Sequence, residues 1–321
     1  MTNRPTGPGA GRQPDPRRMM ALAAGAALAA ALVAAPAQAG EVASLPECSA
    51  PDARLDTSRI VSIGGTVTEI LHDLGADDSI VAVDTTSLYP PEMLRERPNV
   101  GYMRALSAEG VLSMSPSLLL VTEGAGPPNV IDVLKRASVP YVTISDEATP
   151  EAVADRILRI GQVVCAEAAA AELAETVTAR FAALETAVAA VDEPKRVLFV
   201  MSVQNGRPMV GGTDTAADAI IRLAGAENAA ASLEGYKPMS DEAVLEAAPD
   251  ALLMMESGAH RSGDVLAEPA FRLTPAAETG TLVTMDGLLL LGFGPRTPMA
   301  AARLAETLYP GLDTGEAGVQ P

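Results

Sequence analysis

The stretch SAEGVLSMSPSLLLV at residues 107–121 has a counterpart in SDEAVLEAAPDALLM at residues 240–254, which lies 133 residues further along the chain. Each copy begins with a Ser at a helix N-cap position and carries a Glu two residues later. In each copy a Pro ends the helix before an apolar run that is typical of a buried parallel strand. The repeat therefore predicts one α/β unit present twice, and two similar lobes imply a cleft between them.

The sequence around the first copy alternates strand and helix patterns, with a glycine turn at Gly64 and Gly65 after the first strand. The predicted strands are residues 59–63, 80–83, 118–121 and 139–144. Strand, glycine turn and helix in succession are typical of an α/β fold. We assign residues 59–148 to a Rossmann-like N-terminal lobe with a parallel sheet.

The sequence around the second copy repeats this order, with its own glycine turn at Gly211 and Gly212. The predicted elements are a strand at 196–201, a helix at 216–225, a late strand at 282–285, an apolar loop at 288–294 and a terminal helix at 298–309. We assign residues 195–310 to a second Rossmann-like lobe with a parallel sheet. Residues 311–321 are polar, and we expect them to form a frayed tail.

The segment between the lobes, residues 149–194, is rich in Ala and poor in Gly. A helix is predicted to begin at Thr149, with Pro150 at the first helical position. From Glu167 to Val191 strong helix formers predict a rod of about 25 residues and roughly 37 Å. Such a rod would hold the lobes at a nearly fixed separation, unlike a multistranded hinge that closes around a ligand.

The N-terminus has the pattern of a secretory signal peptide, residues 1–39, followed by a short polar lead at residues 40–58. Four arginines precede an apolar stretch at residues 19–33, and Ala37-Gln38-Ala39 fits a cleavage site. The apolar stretch is shorter than the roughly 20 residues that a membrane helix needs. We therefore predict a periplasmic protein that is cleaved near Ala39, exported by either the general or the twin-arginine route.

Charge and cysteine content narrow the class of partner. The chain has a net charge of −18, and loss of the signal peptide would make it −21 because that segment carries four Arg and one Asp. So acidic a surface repels phosphate backbones, which argues against a nucleic-acid partner. A large net charge also keeps copies of a protein apart, and we expect a monomer. Two cysteines in an exported chain, Cys48 and Cys165, permit one disulfide, while two unpaired thiols are an equal alternative.

Enzyme motifs are absent from the sequence. There is no Gly-x-Ser-x-Gly elbow, no phosphate-binding Gly-x-x-x-x-Gly-Lys-Ser/Thr and no Gly-x-Gly-x-x-Gly after a strand. The two histidines, His72 and His260, have no partner at metal-ligand spacing, which disfavours a zinc or manganese carrier. We expect a binding protein rather than an enzyme, with an exported α/β enzyme as the remote alternative.

Four stretches resemble the haem (hemin) substrate-binding proteins of ABC importers. They are RIVSIGGTVTEI at 59–70, NVGYMRALSAEGVL at 99–112, TAADAII at 215–221 and LLGFG at 290–294. The resemblance covers nearly all of residues 59–309 and implies a protein that captures ferric haem and delivers it to an ABC importer. Carriers of ferric siderophores and of cobalamin share the helical-spine architecture, and they are the nearest alternatives.

The resemblance is most specific at Gly101-Tyr102-Met103-Arg104. It implies that Tyr102 is the axial ligand of the haem iron, which agrees with tyrosine serving as a haem ligand elsewhere. Arg104 would favour the phenolate by its charge or bind a haem propionate through its guanidinium fork. Without the resemblance, Tyr102 would read as a loop tyrosine with a hydrogen-bonded hydroxyl.

Other residues are expected around the haem. Tyr89 is assigned as a wall of the cleft, and Tyr236 is expected to face Tyr102 from the second lobe, with Lys237 beside it to meet a propionate. Phe293 and Met209 are candidates for apolar contact with the porphyrin, and both fit a core position equally well. Some members of the family have a His where this chain has Val203, so the obvious second ligand is missing here.

Glu109 and Glu242 occupy the same position in the two copies of the repeat. In the family that the chain resembles, such a pair forms salt bridges with arginines of the membrane permease. A Glu in the first turn of a helix is also favoured by the helix dipole, by under about 1 kcal/mol. The two explanations are compatible, and we expect this pair to dock the protein on its permease.

Overall fold

The computed structural model describes residue 48 and residues 54–256 and 265–318. The predicted signal peptide, residues 1–39, lies outside the described residues, as does most of the lead at 40–58. Two α/β lobes follow one another along the chain, each built on its own sheet. The two copies of the repeat fold alike, since Ser107 accepts a hydrogen bond from the amide of Gly110, and Ser240 accepts one from Ala243.

The first sheet is wholly parallel, with the strand order β2-β1-β3-β4. Its strands are β1 (Ile60–Ile63), β2 (Ile80–Val83), β3 (Leu118–Thr122) and β4 (Tyr141–Ile144). The helices of this lobe are α1 (Gly65–Asp73), α2 (Pro91–Glu96), α3 (Ala108–Leu112) and α4 (Pro128–Lys135). The central strands β1 and β3 are almost entirely buried, as expected for a parallel sheet with both faces covered.

Two helices join the lobes, α5 (Pro150–Val164) and α6 (Glu167–Val188). Thr149 caps α5, and the left-handed backbone of Cys165, with φ of 56°, separates the two helices. They pack closely, because a Cβ added at Gly161 would lie 2.2 Å from the Cβ of Ala170. Helix α6 has 22 residues, close to the predicted rod, and extends for roughly 33 Å.

The second sheet departs from the expected all-parallel arrangement. Its strands are β5 (Arg196–Gln204), β6 (Arg207–Gly211), β7 (Glu227–Asn228), β8 (Tyr236–Pro238), β9 (Ala251–Met255) and β10 (Leu282–Met285). The order is β10-β9-β5-β6-β8, with β7 also paired to β5. Strand β6 is antiparallel to both β5 and β8. Asn205 and Gly206, with φ of 53° and 75°, make the two-residue hairpin turn that reverses the chain between β5 and β6.

The helices of the second lobe are α7 (Ala216–Leu223), α8 (Asp241–Ala247), α9 (Pro275–Thr279), α10 (Gly287–Leu291) and α11 (Thr297–Leu308). Helix α10 occupies the first part of the predicted apolar loop, since Asp286 caps it by accepting a hydrogen bond from Leu289. The predicted frayed tail is also partly ordered. Residues 315–318 form a 3-10 turn, and Ala317 is fully buried in the same core as α6 and α11.

A disulfide bond joins Cys48 to Cys165. The sequence left this pairing open against two free thiols. The bond attaches the polar lead to the junction between α5 and α6, and it closes a segment of 117 residues. The lead is therefore covalently fixed to the connection between the lobes.

Candidate functional site

A cleft of about 1350 Å³ is lined by residues of both lobes. The first lobe contributes the turn at residues 64–67 and the loop at residues 102–104, and the second contributes α7, Tyr236 and the start of α10. This volume is above the range of roughly 300–1000 Å³ that is usual for drug-sized ligands. The cleft therefore has room for a large ligand.

The backbone of the Tyr102 loop is fixed on the side of strand β2. Val100 donates a hydrogen bond to the carbonyl of Val83 at 2.9 Å, and the carbonyl of Gly101 accepts one from Thr85 at 3.0 Å. Gly101 has φ of 97°, a conformation that L side chains rarely adopt. The chain can therefore turn sharply just before Tyr102.

The other end of this loop is fixed to the loop that precedes α4. Leu106 donates to the carbonyl of Gly126 at 3.0 Å, and Gly126 donates to the carbonyl of Met103 at 2.9 Å. Between these two anchors the side chain of Tyr102 lines the cleft and stays 46% exposed. An exposed phenol on a fixed backbone is available to a ligand without rearrangement of the loop.

Arg104 and Tyr236 lie near each other although they belong to different lobes, and both line the cleft. Burial raises the pKa of Tyr236 above its ordinary value, while Ala217, Thr215 and the charge of Arg104 act in the opposite direction. Tyr236 is half-buried, and its ring meets that of Phe199 edge to face at 6.3 Å. At neutral pH Tyr236 is therefore a neutral phenol that can donate a hydrogen bond.

Apolar side chains from both lobes form much of the remaining surface of the cleft. They include Leu88, Met103, Met201, Leu223, Met255 and Leu288. No histidine is found among the cleft residues of the described part of the chain. His72 instead contacts Asp77, with 2.9 Å between Nδ1 and Oδ1. Such a surface suits a large apolar ligand that carries a few polar groups.

Charged side chains of both signs also line the cleft. The cations are Arg104, Arg156 and Arg222, and the anions are Asp146, Glu147, Asp214 and Asp218. Arg222 is mostly exposed and lies 3.9 Å from Asp218. Arg156 differs because it is only 3% exposed. The sequence reasoning missed Arg156, although its place on the same helix face as the buried Val153 and Ile160 was a usable signal.

Tyr89, predicted as a wall of the cleft, lies elsewhere. Its ring packs under the guanidinium of Arg296, 3.6 Å from Cζ to the ring centroid, and meets the ring of His72 edge to face. Tyr89 is not among the residues that line the cleft in the described part of the chain. The assignment is corrected because a cation–π contact, rather than the cleft, holds this side chain.

Three other predicted contacts lie outside the cleft lining of the described residues. Lys237 is exposed on β8, since neighbouring residues of a strand point to opposite faces and Tyr236 takes the inner one. Phe293 is 1% exposed in the core. Met209 lies on β6, where it pairs with Ser202 of β5. Val203, at the position where a histidine was expected in some members of the resembled family, is half-buried on β5.

Glu109 and Glu242 are both exposed, each as the second residue of its short helix, α3 or α8. Hydrogen bonds from its own backbone amide and from the hydroxyl of Ser240 hold the pKa of Glu242 below its ordinary value. Both carboxylates are thus accessible on equivalent helices of the two lobes.

A metal-binding cluster and a membrane-spanning helix are both missing from the described residues. Among these residues, no group of three or more His, Cys, Asp or Glu side chains could hold a metal ion. No described helix combines the length and the hydropathy that crossing a membrane requires.

Comparison with known proteins identifies relatives along most of the chain. An ABC transporter substrate-binding lipoprotein of Bacillus subtilis (strain 168), YvrC, is 28% identical over 259 residues, which are 79% of this chain and 81% of that protein. A vitamin B12-binding protein of Yersinia pestis is 25% identical over 198 residues, which are 61% of this chain and 69% of that protein.

Solved structures match more closely. The periplasmic heme-binding protein RhuT from Roseiflexus sp. RS-1, in apo form, has a TM-score of 0.75 and 36% identity, over 80% of this chain and 99% of RhuT. The periplasmic heme-binding protein BhuT, in complex with two hemes, has a TM-score of 0.74 and 39% identity, over 78% of this chain and 97% of BhuT. The model of the periplasmic binding protein family matches residues 60–288. This chain belongs to the periplasmic binding protein family.

Proposed function

We propose that this chain captures ferric haem in the periplasm, as a monomer, and delivers it to an ABC importer. The observation that carries the proposal is Tyr102, an exposed phenol on a fixed loop of an interlobe cleft. Tyrosine is an established axial ligand of haem iron. Its oxygen would bind the iron while the apolar cleft residues cover the porphyrin.

The surroundings of Tyr102 support an iron–phenolate bond. Arg104 follows it by two residues in the same loop, and both line the cleft. Tyr236, kept neutral by burial, would contribute a hydrogen bond from the second lobe rather than a second anionic ligand. Similarity to RhuT and BhuT, both heme-binding proteins, supports haem as the ligand of this cleft.

Delivery to an importer is proposed from Glu109 and Glu242. The two exposed carboxylates lie at equivalent positions of the two lobes. Such a pair could meet two arginine clusters of a permease at once, and simultaneous engagement strengthens weak surface pairs. The relative YvrC, a substrate-binding lipoprotein of an ABC transporter, supports this partner class.

A cobalamin carrier is the second candidate, because a vitamin B12-binding protein is among the relatives. The cleft of about 1350 Å³ also leaves room for that ligand. Equilibrium binding of ferric hemin, cobalamin and a ferric siderophore to the purified mature protein separates the candidates. The proposal expects hemin to bind at least about 100-fold more tightly than the other two, a difference of about 2.7 kcal/mol. If cobalamin or the siderophore binds more tightly than hemin, that compound and not haem is the ligand.

A further inference from the structure

Arg156 is a buried cation at the cleft that has no anionic partner. It is 3% exposed and belongs to the residues that line the cleft. None of the ion pairs of the described residues includes it. Arginine is almost never fully buried unless it is paired, because the desolvated charge is costly. Among the described residues, the buried guanidinium of Arg156 therefore has no carboxylate in contact to balance its charge.

The neighbours of Arg156 are neutral carbonyl groups. Nε donates to the carbonyl of Ser145 at 2.6 Å, Nη2 donates to that of Glu147 at 3.0 Å, and Nη1 donates to that of Phe293. A guanidinium has five N–H donors, so Nη1 and Nη2 each keep one N–H that these bonds do not use. The side chain is thus held in a fixed orientation with donor capacity left over.

Acidic residues nearby do not supply the missing charge. Burial lowers the pKa of Arg156, and the charges of Asp146 and Glu147 raise it only in part. Both acids line the cleft and are exposed, so water screens their charges. Neither forms an ion pair with Arg156 among the described residues. A carboxylate brought in by the ligand would meet the guanidinium in the less solvated part of the cleft.

We propose, resting on haem as the ligand proposed above, that Arg156 binds one haem propionate. A guanidinium that keeps one N–H on each of its two terminal nitrogens matches the two oxygens of a carboxylate. This role is separate from that of Arg104, which is exposed beside Tyr102. Arg156 also contacts both lobes, through the carbonyls of Ser145 and Phe293. A bound propionate would therefore neutralise the charge of Arg156 at the place where the lobes meet.

The test compares hemin with hemin dimethyl ester, which has the same iron and ring but no propionate charge. The wild-type protein is expected to bind hemin about ten- to 100-fold more tightly than the ester, because a hydrogen-bonded charge pair is lost. Arg156→Gln is expected to lose most of that preference while binding the ester within about threefold of wild type. Arg159→Gln, on the same helix but not among the residues lining the cleft, should keep the preference.

Three results would overturn the proposal. If Arg156→Gln weakens the binding of hemin and of the ester equally, Arg156 only stabilises the packing of the lobes and does not bind a propionate. If the wild-type protein binds both compounds equally, no propionate is recognised, and this result holds even if the variant does not fold. If the wild-type protein binds neither, haem itself is excluded and the proposed function fails with it.

Discussion

Glu69 of the first lobe and Arg296 of the second form a buried bidentate ion pair, with Nε–Oε1 at 3.0 Å and Nη2–Oε2 at 2.9 Å. Their side chains are 3% and 10% exposed. The ring of Tyr89 covers the guanidinium, and Thr66 donates a hydrogen bond to the carbonyl of Gly292 in the same region. The lobes are therefore joined by buried polar contacts as well as by α6, which explains how a cleft between them can keep its shape.

Removing one partner of this pair should destabilise the protein strongly. Glu69→Gln leaves the charge of Arg296 buried and uncompensated, and we expect the free energy of unfolding to fall by about 3–5 kcal/mol. Glu92→Gln is the matched control, since Glu92 pairs with Arg95 on an exposed helix surface and should cost less than about 1 kcal/mol. Urea unfolding of both variants provides the measurement. Equal losses would mean that the buried interlobe pair contributes no more to stability than an exposed pair does.

The disulfide between Cys48 and Cys165 should contribute to stability. It closes a segment of 117 residues, and loss of such a crosslink increases the freedom of the unfolded chain. We expect reduction, or the double change of Cys48 and Cys165 to Ser, to lower the free energy of unfolding by about 2–5 kcal/mol. Urea unfolding with and without reductant measures the difference. An unchanged midpoint in reductant would contradict the prediction.

Stability should fall at high pH because of Tyr236. Its folded-state pKa is raised by burial, so the stability it contributes is fully present below the unfolded pKa and is lost as pH rises through the folded value. We expect the free energy of unfolding to decrease above about pH 10, and Tyr236→Phe to reduce that decrease. Tyr309 has a raised pKa as well, so some decrease should remain in the variant. If the free energy of unfolding of Tyr236→Phe has the same pH dependence as that of the wild type, the decrease is not caused by Tyr236.

Charge reversal at Glu109 and Glu242 should uncouple transport from haem binding. Changing both residues to Arg places like charges opposite the arginines proposed on the permease, so haem-dependent ATPase stimulation of the reconstituted importer should fall at least about tenfold. Hemin affinity should stay unchanged, because neither residue lines the cleft in the described part of the chain. Glu246→Arg, an exposed reversal on α8, is the control. Normal stimulation by the double variant would exclude this docking surface.

Local signals in the sequence were sufficient for several strands of both lobes. The repeat and the glycine turns predicted β1, β3 and β9 to within about a residue, because caps, turns and buried apolar runs act over short distances. The β5–β6 hairpin was missed, although Asn205-Gly206 is a strong hairpin signal. The repeat predicts a parallel sheet here because β1 of the first lobe leads directly into α1, whereas β5 turns back into β6.

The site was less predictable, because it depends on contacts between residues far apart in the chain. Tyr89 and Tyr102 both follow β2 on loops, but Tyr89 packs against Arg296, more than 190 residues further on, and does not line the cleft. The resemblance named Tyr102 and Arg104, which do line the cleft. The helix pattern places Arg156 on the buried face of α5, but its three carbonyl partners and the Glu69–Arg296 pair depend on the packing of one lobe on the other, which no local pattern encodes.

The most direct test is an absorbance titration of the mature protein with ferric hemin, run alongside Tyr102→Phe and Tyr89→Phe. If Tyr102 binds the iron, the wild type should saturate and show a phenolate-to-iron charge-transfer band. Tyr102→Phe should lack that band, while Tyr89→Phe, altered where Arg296 packs, should keep it. Persistence of the band in Tyr102→Phe, or no saturable change in the wild type, would contradict the assignment of Tyr102 as the haem ligand.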